Sequence, residues 1–236
     1  MELSSGDDGF PDQFQRECIK LVASLVPLSS CIFYLVDTSM LDRGAVMVNL
    51  DASANRDYQR KYRSLDPLDP ARFARSGEKL VCLDDLLCEG ELLQSAYYRE
   101  FMQPLNHRHV ADVFLRRDGG IVAVLSVLRE AALGRFGSDE LGLLLKLQPF
   151  LEYALNSVYF PKRTRERQTV QARYKLTDRE VDVLEWIIAG ASNKMIAREL
   201  AVGLATVKTH MQHLFAKVKV TSRISLLARA RDVIKS

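Results

Sequence analysis

Lys208, Thr209 and Gln212 form the polar side of a stretch whose other side is apolar, and their types suit hydrogen bonding to base edges. Val207, Met211, Leu214 and Val218 recur at the spacing of one helix face, so they should make a buried seam with Lys208, Thr209, Gln212 and Lys217 turned the other way. A helix fits the major groove of B-DNA, where lysine donates to guanine and glutamine can pair with adenine through two hydrogen bonds. Two further helices are expected ahead of this one. Thr177 and Glu180 make a capping box, each side chain satisfying a backbone N–H of the other's end. Val181, Leu184, Trp186, Ile187 and Ile188 then supply a buried face, and Gly190 ends the helix. Ser192 should cap the second, with Ile196, Ala197 and Leu200 inward and Lys194 and Arg198 outward. Gly203 falls at the start of the reading helix, and Thr221 or Ser222 begins a fourth that carries Ile224, Leu227 and Ala228 on one side.

A second group of residues suits recognition of a small molecule. Tyr58 and Tyr62 lie four apart, hence on one face of a helix that Ser53 could cap and that Asp66-Pro67 and Asp69-Pro70 break. Phe33, Tyr34, Phe114 and Ser126 fall on expected strands, where they either line a pocket or fill the core. The tyrosines also have a plain reading as packing, and the aspartates as turn formers. His107-Arg108-His109 offers groups for a metal or an anion, but neighbours entering a strand point to opposite faces, so a solvated loop is expected. There is no nucleophile elbow, phosphate loop, metal-ligand spacing or set of paired catalytic residues, so no catalysis, cofactor or metal is expected.

The elements that must hold these groups can be read from periodicity. Phe14, Cys18, Ile19, Leu21, Val22, Leu25 and Val26 mark an opening amphipathic helix that stops at Pro27. Cys31 to Val36 and Ala45 to Leu50 read as paired strands, and Val110 to Arg116 with Ile121 to Leu128 as a hairpin around Asp118-Gly119-Gly120. Ile121 to Leu128 is apolar on both faces and belongs in the middle of its sheet. Glu91 to Met102 should be one helix, and Ser138 should begin a long one with a stripe of Leu141, Leu144, Leu145, Gln148, Leu151, Leu155 and Val158. The order predicts an α+β, three-layer α-β-α sandwich with an antiparallel sheet over 1–160, a charged linker over 161–175, although 152–173 could be partly continuous helix, and an all-α four-helix helix-turn-helix domain over 176–236.

Charge supports that division. Residues 161–236 hold 16 Lys and Arg against 7 Asp and Glu, a balance of +9, which leaves 17 against 23 for residues 1–160, or −6. A basic domain beside an acidic one points to a polyanion for the former. Cys18, Cys31, Cys82 and Cys88 are scattered without a C-x-x-C pair, so buried free thiols in a reducing cytoplasm are expected. The start, residues 1–9, is acidic where a signal peptide would be basic and then apolar. Lys146, Gln148, Pro149 and Glu152 interrupt the most apolar run, so neither a membrane span nor a membrane partner is expected.

The run from Leu176 to Ala230 closely resembles the helix-turn-helix module of LuxR/FixJ/NarL-type bacterial transcription regulators. The resemblance rests on Leu-Thr-Asp-Arg-Glu at 176–180, Val183-Leu184, Gly190 with Ser192-Asn193-Lys194, Ile196-Ala197, Leu200, Thr206-Val207-Lys208 with His210, and Lys217, Val220 and Arg223. It implies that the third helix enters the major groove with Lys208, Thr209 and Gln212 facing bases. Lys194, Thr206, His210, Lys217 and Arg223 would then lie near phosphates, and the fourth helix would contribute to a homodimer. Gly203 stands where such regulators usually have Ser or Thr. The upstream element order is similar to GAF/PAS-related sensor domains, including the autoinducer-binding domain of quorum-sensing LuxR proteins. In that domain aromatic and Asp side chains hold an acyl-homoserine lactone, and Tyr58, Tyr62 and Asp69-Pro70 are the similar residues here. A phosphoacceptor receiver is not expected, since Asp7-Asp8 precede any strand. Two roles remain open for the N-terminal domain: response to a small-molecule ligand, or docking of a protein partner.

Overall fold

The computed structural model describes residues 12–37, 40, 42–188 and 190–235; the acidic start at residues 1–9 lies outside them. Two compact units divide the chain, Met1–Ser157 and Val158–Ser236.

The first unit opens with helix α1 (Asp12–Leu25) and strands β1 (Ser30–Val36) and β2 (Asp42–Val48). Short helices follow: α2 (Ala52–Asp57), a π turn at Tyr58–Tyr62 and α3 (Pro70–Phe73). Next come β3 (Leu80–Cys82), α4 (Leu83–Leu86), α5 (Glu89–Gln94) and a second π turn at Tyr98–Met102. The hairpin β4 (His109–Arg117) and β5 (Gly120–Arg129) leads to the long helix α6 (Ser138–Ala154). The sheet runs β2-β1-β5-β4-β3 with every neighbour antiparallel. Helices lie on both faces, giving the expected α-β-α sandwich. β5 is the middle strand, as a strand apolar on both faces should be.

On one face α1 packs on β1 and β2 and α6 on β4. There the Phe14 ring meets Phe33 edge-on at 5.9 Å, and Gln148 Nε2 donates to the Phe114 carbonyl at 3.0 Å. The other face carries the short helices and an apolar cluster that includes Leu68, Leu83, Leu92, Tyr97, Met102 and Val124.

Four local expectations change. β3 is new, because three residues are too few to show an alternation. The helix expected over 91–102 is broken at Ser95, which is extended (ψ 145°); its hydroxyl donates to the Leu92 carbonyl and accepts from the Tyr98 N–H. α2 is capped by Asp51, whose carboxylate accepts from the Ser53 N–H at 2.6 Å, and not by Ser53. Leu144, Gln148, Leu151 and Leu155 are buried as the stripe requires, but Leu145 and Val158 are exposed, a π turn at Leu155–Tyr159 having shifted the helical phase before Val158.

The second unit is entirely helical: α7 (Phe160–Tyr174), α8 (Asp178–Ile188), α9 (Asn193–Glu199), α10 (Leu204–Val218) and α11 (Arg223–Lys235). Residues 161–174, expected as linker, are helical, and Val170 and Tyr174 join the core of this unit. Two of their charges pair with α8, Arg167 bridging Asp182 and Glu185 and Arg163 also reaching Glu185. The capping box forms in both directions, Glu180 accepting from the Thr177 N–H (2.8 Å) and Thr177 from the Glu180 N–H (3.3 Å). Gly190 ends α8 at φ +79°, a conformation that strains other residues. Val181, Leu184, Ile187, Ile196, Val207, Leu214 and Leu226 are all at most 2% exposed and form one core. Among the described residues no helix is long and apolar enough to cross a membrane.

Candidate functional site

The seam and the reading face of α10 separate as the spacing requires. Val207, Leu214 and Val218 are buried and Met211 packs against the same core, while Thr206, Lys208, Thr209 and Gln212 are exposed. Thr209 Oγ1 donates to the Ala205 carbonyl at 3.1 Å, which fixes its rotamer on the helix surface. Gly203 begins α10 with no side-chain cap, whereas Ser192 caps α9 by accepting from the Met195 N–H. Lys194 stands exposed on the first turn of α9.

Two of the residues expected at phosphates have internal roles. Lys217 Nζ donates to Glu180 at 2.6 Å and to the Lys175 carbonyl at 3.0 Å, tying α10 to the start of α8. Burial pushes the Glu180 carboxyl up, but the hydrogen bonds from Lys217 and Thr177 outweigh it and hold the group below its usual range. Arg223 donates to the carbonyls of Ile187 and Ala191, closing the turn that follows α8. His210 is half-buried, and its Nδ1 has no hydrogen-bond partner among the described residues.

The first unit holds an interior cavity of about 700 Å³, open mouth included, between the sheet face and the short helices. Tyr34, Tyr58 and Ser126 line it, as expected. Tyr62 is not among its lining residues; it stacks on Phe101 at 5.1 Å, and Tyr58 and Tyr97 also pack on that ring, at 5.5 and 5.7 Å. Asp69 caps α3 and pairs with Arg63. Phe33 faces α1 through its contact with Phe14, because side chains alternate along β1, and Phe114 packs on Phe73 at 5.3 Å. These four are not brought together at the cavity wall.

Two buried carboxyl groups lie in the wall instead. Asp66 accepts from the Tyr58 hydroxyl (2.7 Å) and the Leu68 N–H (2.8 Å), and Tyr97 also bonds to it. Burial pushes Asp66 up to about 6, although these hydrogen bonds oppose the rise. Asp112, on β4, is 4% exposed and is pushed by burial to about 8, against the hydrogen bond from Ser126 and with the Asp66 charge adding to the shift. Its Oδ1 has no partner among the described residues. An orphaned buried polar atom costs roughly 1–3 kcal/mol, so this one invites a donor.

His107, Arg108 and His109 are not a solvated loop; all three are at most 6% exposed. Arg108 and His109 pair with Asp84, and His107 shares a hydrogen bond with Ser30 Oγ at 3.0 Å. Partners from distant segments allow polar side chains to enter the interior here. His107 lines the cavity, and burial holds its imidazole down at about 4. No cluster of three or more His, Cys, Asp or Glu side chains suited to a metal occurs among the described residues. Cys18, Cys31 and Cys82 are buried free thiols, with burial pushing Cys18 and Cys82 up to about 12, but Cys88 is exposed at the start of α5.

The sequence reading missed Asp66 as a cavity residue, and also Tyr97, Phe101, His107 and Asp112. Asp112 had a signal: it is the one acid within the otherwise apolar run Val110 to Leu115.

A packed set of short helices that turns one polar helix face outward is a helix-turn-helix module, here following an α+β domain with an interior cavity. The model of the family described as "Bacterial regulatory proteins, luxR family" matches residues 174–230. A monoamine regulon transcriptional regulator of Klebsiella aerogenes is 31% identical over 218 residues, 92% of this chain and 90% of that protein. The chain therefore belongs to the LuxR family of bacterial transcription regulators. The nitrate/nitrite response regulator protein NarL of Escherichia coli (strain K12) is 38% identical over 114 residues, 48% of this chain and 47% of NarL. Among solved structures, Escherichia coli SdiA is similar at a TM-score of 0.41 and 18% identity, covering 94% of this chain and 90% of SdiA. A GAF domain/HD domain protein from Geobacter sulfurreducens is similar at a TM-score of 0.47 and 16% identity, covering 62% and 92%.

Proposed function

We propose that this regulator binds double-stranded DNA sequence-specifically as a homodimer, and that a small molecule in the N-terminal cavity biases its DNA-binding state. The observation that carries the DNA reading is the exposure of Lys208, Thr209 and Gln212 on the side of α10 opposite its buried seam. In this reading those three meet base edges, while Lys194, Thr206 and His210 lie near phosphates. Lys217 and Arg223 hold the module in shape and contribute to the backbone contact only through it. A homodimer would present two reading helices to half-sites about one helical turn apart.

For the sensor part, the largely apolar cavity with a few convergent polar groups supports a small organic ligand over a docked protein. Such a ligand shifts the equilibrium only by its different affinities for the two states. The Klebsiella relative is named for a monoamine regulon, which makes small organic metabolites the first class to screen. The experiment is a gel-shift titration of the full-length protein on genomic fragments at about 50 and 200 mM salt. Several phosphate contacts should make affinity fall by orders of magnitude between the two. A folded protein with no salt-sensitive DNA binding overturns the reading.

A further inference from the structure

We propose that the cavity of the first unit takes a protonated amine with a compact apolar or aromatic body, its ammonium seated on Asp112 beside Asp66. The proposal rests on the small-molecule reading above and narrows its ligand to a chemical class.

Three observations converge on it. Asp112 Oδ1 is buried, unpartnered among the described residues, and in the wall of the cavity. Ser126 satisfies part of the same carboxyl, so the site lacks a donor at one defined atom. Two acids line this space, yet the lining includes no Lys or Arg among the described residues, and its one histidine is held neutral by burial. An ionised Asp112 is costly here without a counter-ion, and a ligand cation offsets that cost where a neutral ligand does not. An anionic ligand would meet two carboxyl groups and is disfavoured for the same reason.

The walls suit the rest of such a molecule. The rings of Tyr58, Tyr97 and Phe101 form a continuous aromatic cluster, and ring faces attract ammonium groups and accept flat apolar bodies. Ile32, Met47 and Leu105 provide apolar surface beyond them. The Asp66 carboxylate keeps the tyrosine hydroxyls in place by accepting from Tyr58 and Tyr97, so it acts mainly as a positioning charge.

A proton should leave when the amine arrives. Below pH 8 the empty cavity keeps Asp112 protonated, and an ammonium needs the carboxylate form. Asp66, Tyr34 and Tyr97 face this group inside the cavity together with His107, and Cys31 and Cys82 feel its charge from neighbouring strands. Burial and the Asp66 charge disfavour the carboxylate until a cation is present.

The test uses the full-length protein with phenethylammonium chloride, its neutral analogue 2-phenylethanol and its anionic analogue 3-phenylpropionate. Calorimetric titration should give the amine at least tenfold higher affinity than the alcohol, no binding of the carboxylate, and about one proton released per amine at pH 7. The proton count comes from repeating the titration in buffers of different ionisation enthalpy. Asp112→Asn should lower the amine affinity at least tenfold; if that variant fails to fold, the proton count on the wild-type protein decides. An alcohol bound within threefold of the amine, an Asp112→Asn variant with undiminished amine affinity, or amine binding without proton release overturns the amine assignment and leaves the small-molecule reading standing. If none of the three binds, the amine assignment falls. The broader reading falls with it when protein purified from its own host also carries no small molecule by native mass spectrometry.

Discussion

The two units carry their chemistry on opposite sides of their cores. In the helical unit the polar groups with a proposed role, Lys208, Thr209 and Gln212, stand outside an apolar core. In the α+β unit the polar groups with a proposed role, Asp66, Asp112 and Tyr58, lie inside and border a cavity. A surface site constrains its core only through position, so core and site can be altered separately. An interior site is part of its core, and changing it changes stability as well.

The largest effect should come from breaking the seam. Leu214→Ala removes a fully buried side chain from α10 and should destabilise the helical unit by about 2–5 kcal/mol, with loss of DNA binding. Calorimetric unfolding should show the α+β unit melting as before; an equal fall in both units would mean that they do not unfold separately.

Lys217→Ala and Lys208→Ala separate structure from reading within one helix. Lys217→Ala leaves the buried Glu180 carboxylate short of its ammonium and should cost roughly 1–3 kcal/mol of stability in chemical denaturation. Lys208→Ala should leave stability within about 0.5 kcal/mol and weaken DNA binding by about 1–3 kcal/mol in gel-shift titration. Identical behaviour of the two variants would erase the distinction between tether and reader.

The interior site should reveal itself through pH. The folded-state pKa of Asp112 is raised to about 8, so between its unfolded value and 8 the folded protein holds the extra proton. Stability is therefore greatest below the unfolded value and falls as pH rises through 8, by at most about 1.4 kcal/mol per pH unit. His107, depressed to about 4, acts in the opposite sense below about 6.5, and Asp66 has largely titrated by then. Urea unfolding of the first unit from pH 6.5 to 8 should show the decline, and Asp112→Asn should flatten it. A wild-type profile already flat over that range would contradict the burial of an ionisable carboxyl.

The smallest effect is at the start of the reading helix. A side chain added at Gly203 would meet Thr206 Oγ1 at an ordinary 3.7 Å, so a serine fits and can cap α10. Gly203→Ser should stabilise the helical unit by a few tenths of a kcal/mol in thermal melting. A loss of stability would show that the glycine is needed for more than its backbone.

The same contrast explains what was legible. The helical unit is built from contacts close in sequence, so the Thr177–Glu180 box, the Gly190 stop and the Val207–Leu214–Val218 seam all announced themselves by spacing. Its errors came from long side chains: Lys217 and Arg223 have exposed-looking positions but reach back to Glu180 and to the Ile187 and Ala191 carbonyls. In the α+β unit the strands and the central place of β5 were legible, while Tyr62, Asp69, Phe33 and Phe114, which could be read as cavity residues or as packing and turn residues, serve packing or capping. The break at Ser95 precedes the segment bearing Tyr97 and Phe101, two cavity residues the sequence reading missed, and no periodicity marks it.

By itself the sequence determined the family, the four longer strands and the outward face of α10, since helix and strand periods fix which side of an element is buried. Only the tertiary structure decided which buried polar groups meet. Asp66, Tyr97, His107 and Asp112 come from separate segments and converge because the sheet and the broken helices bring them there. Hydrogen bonding and desolvation act over a few ångströms in space, and distance along the chain carries no record of them.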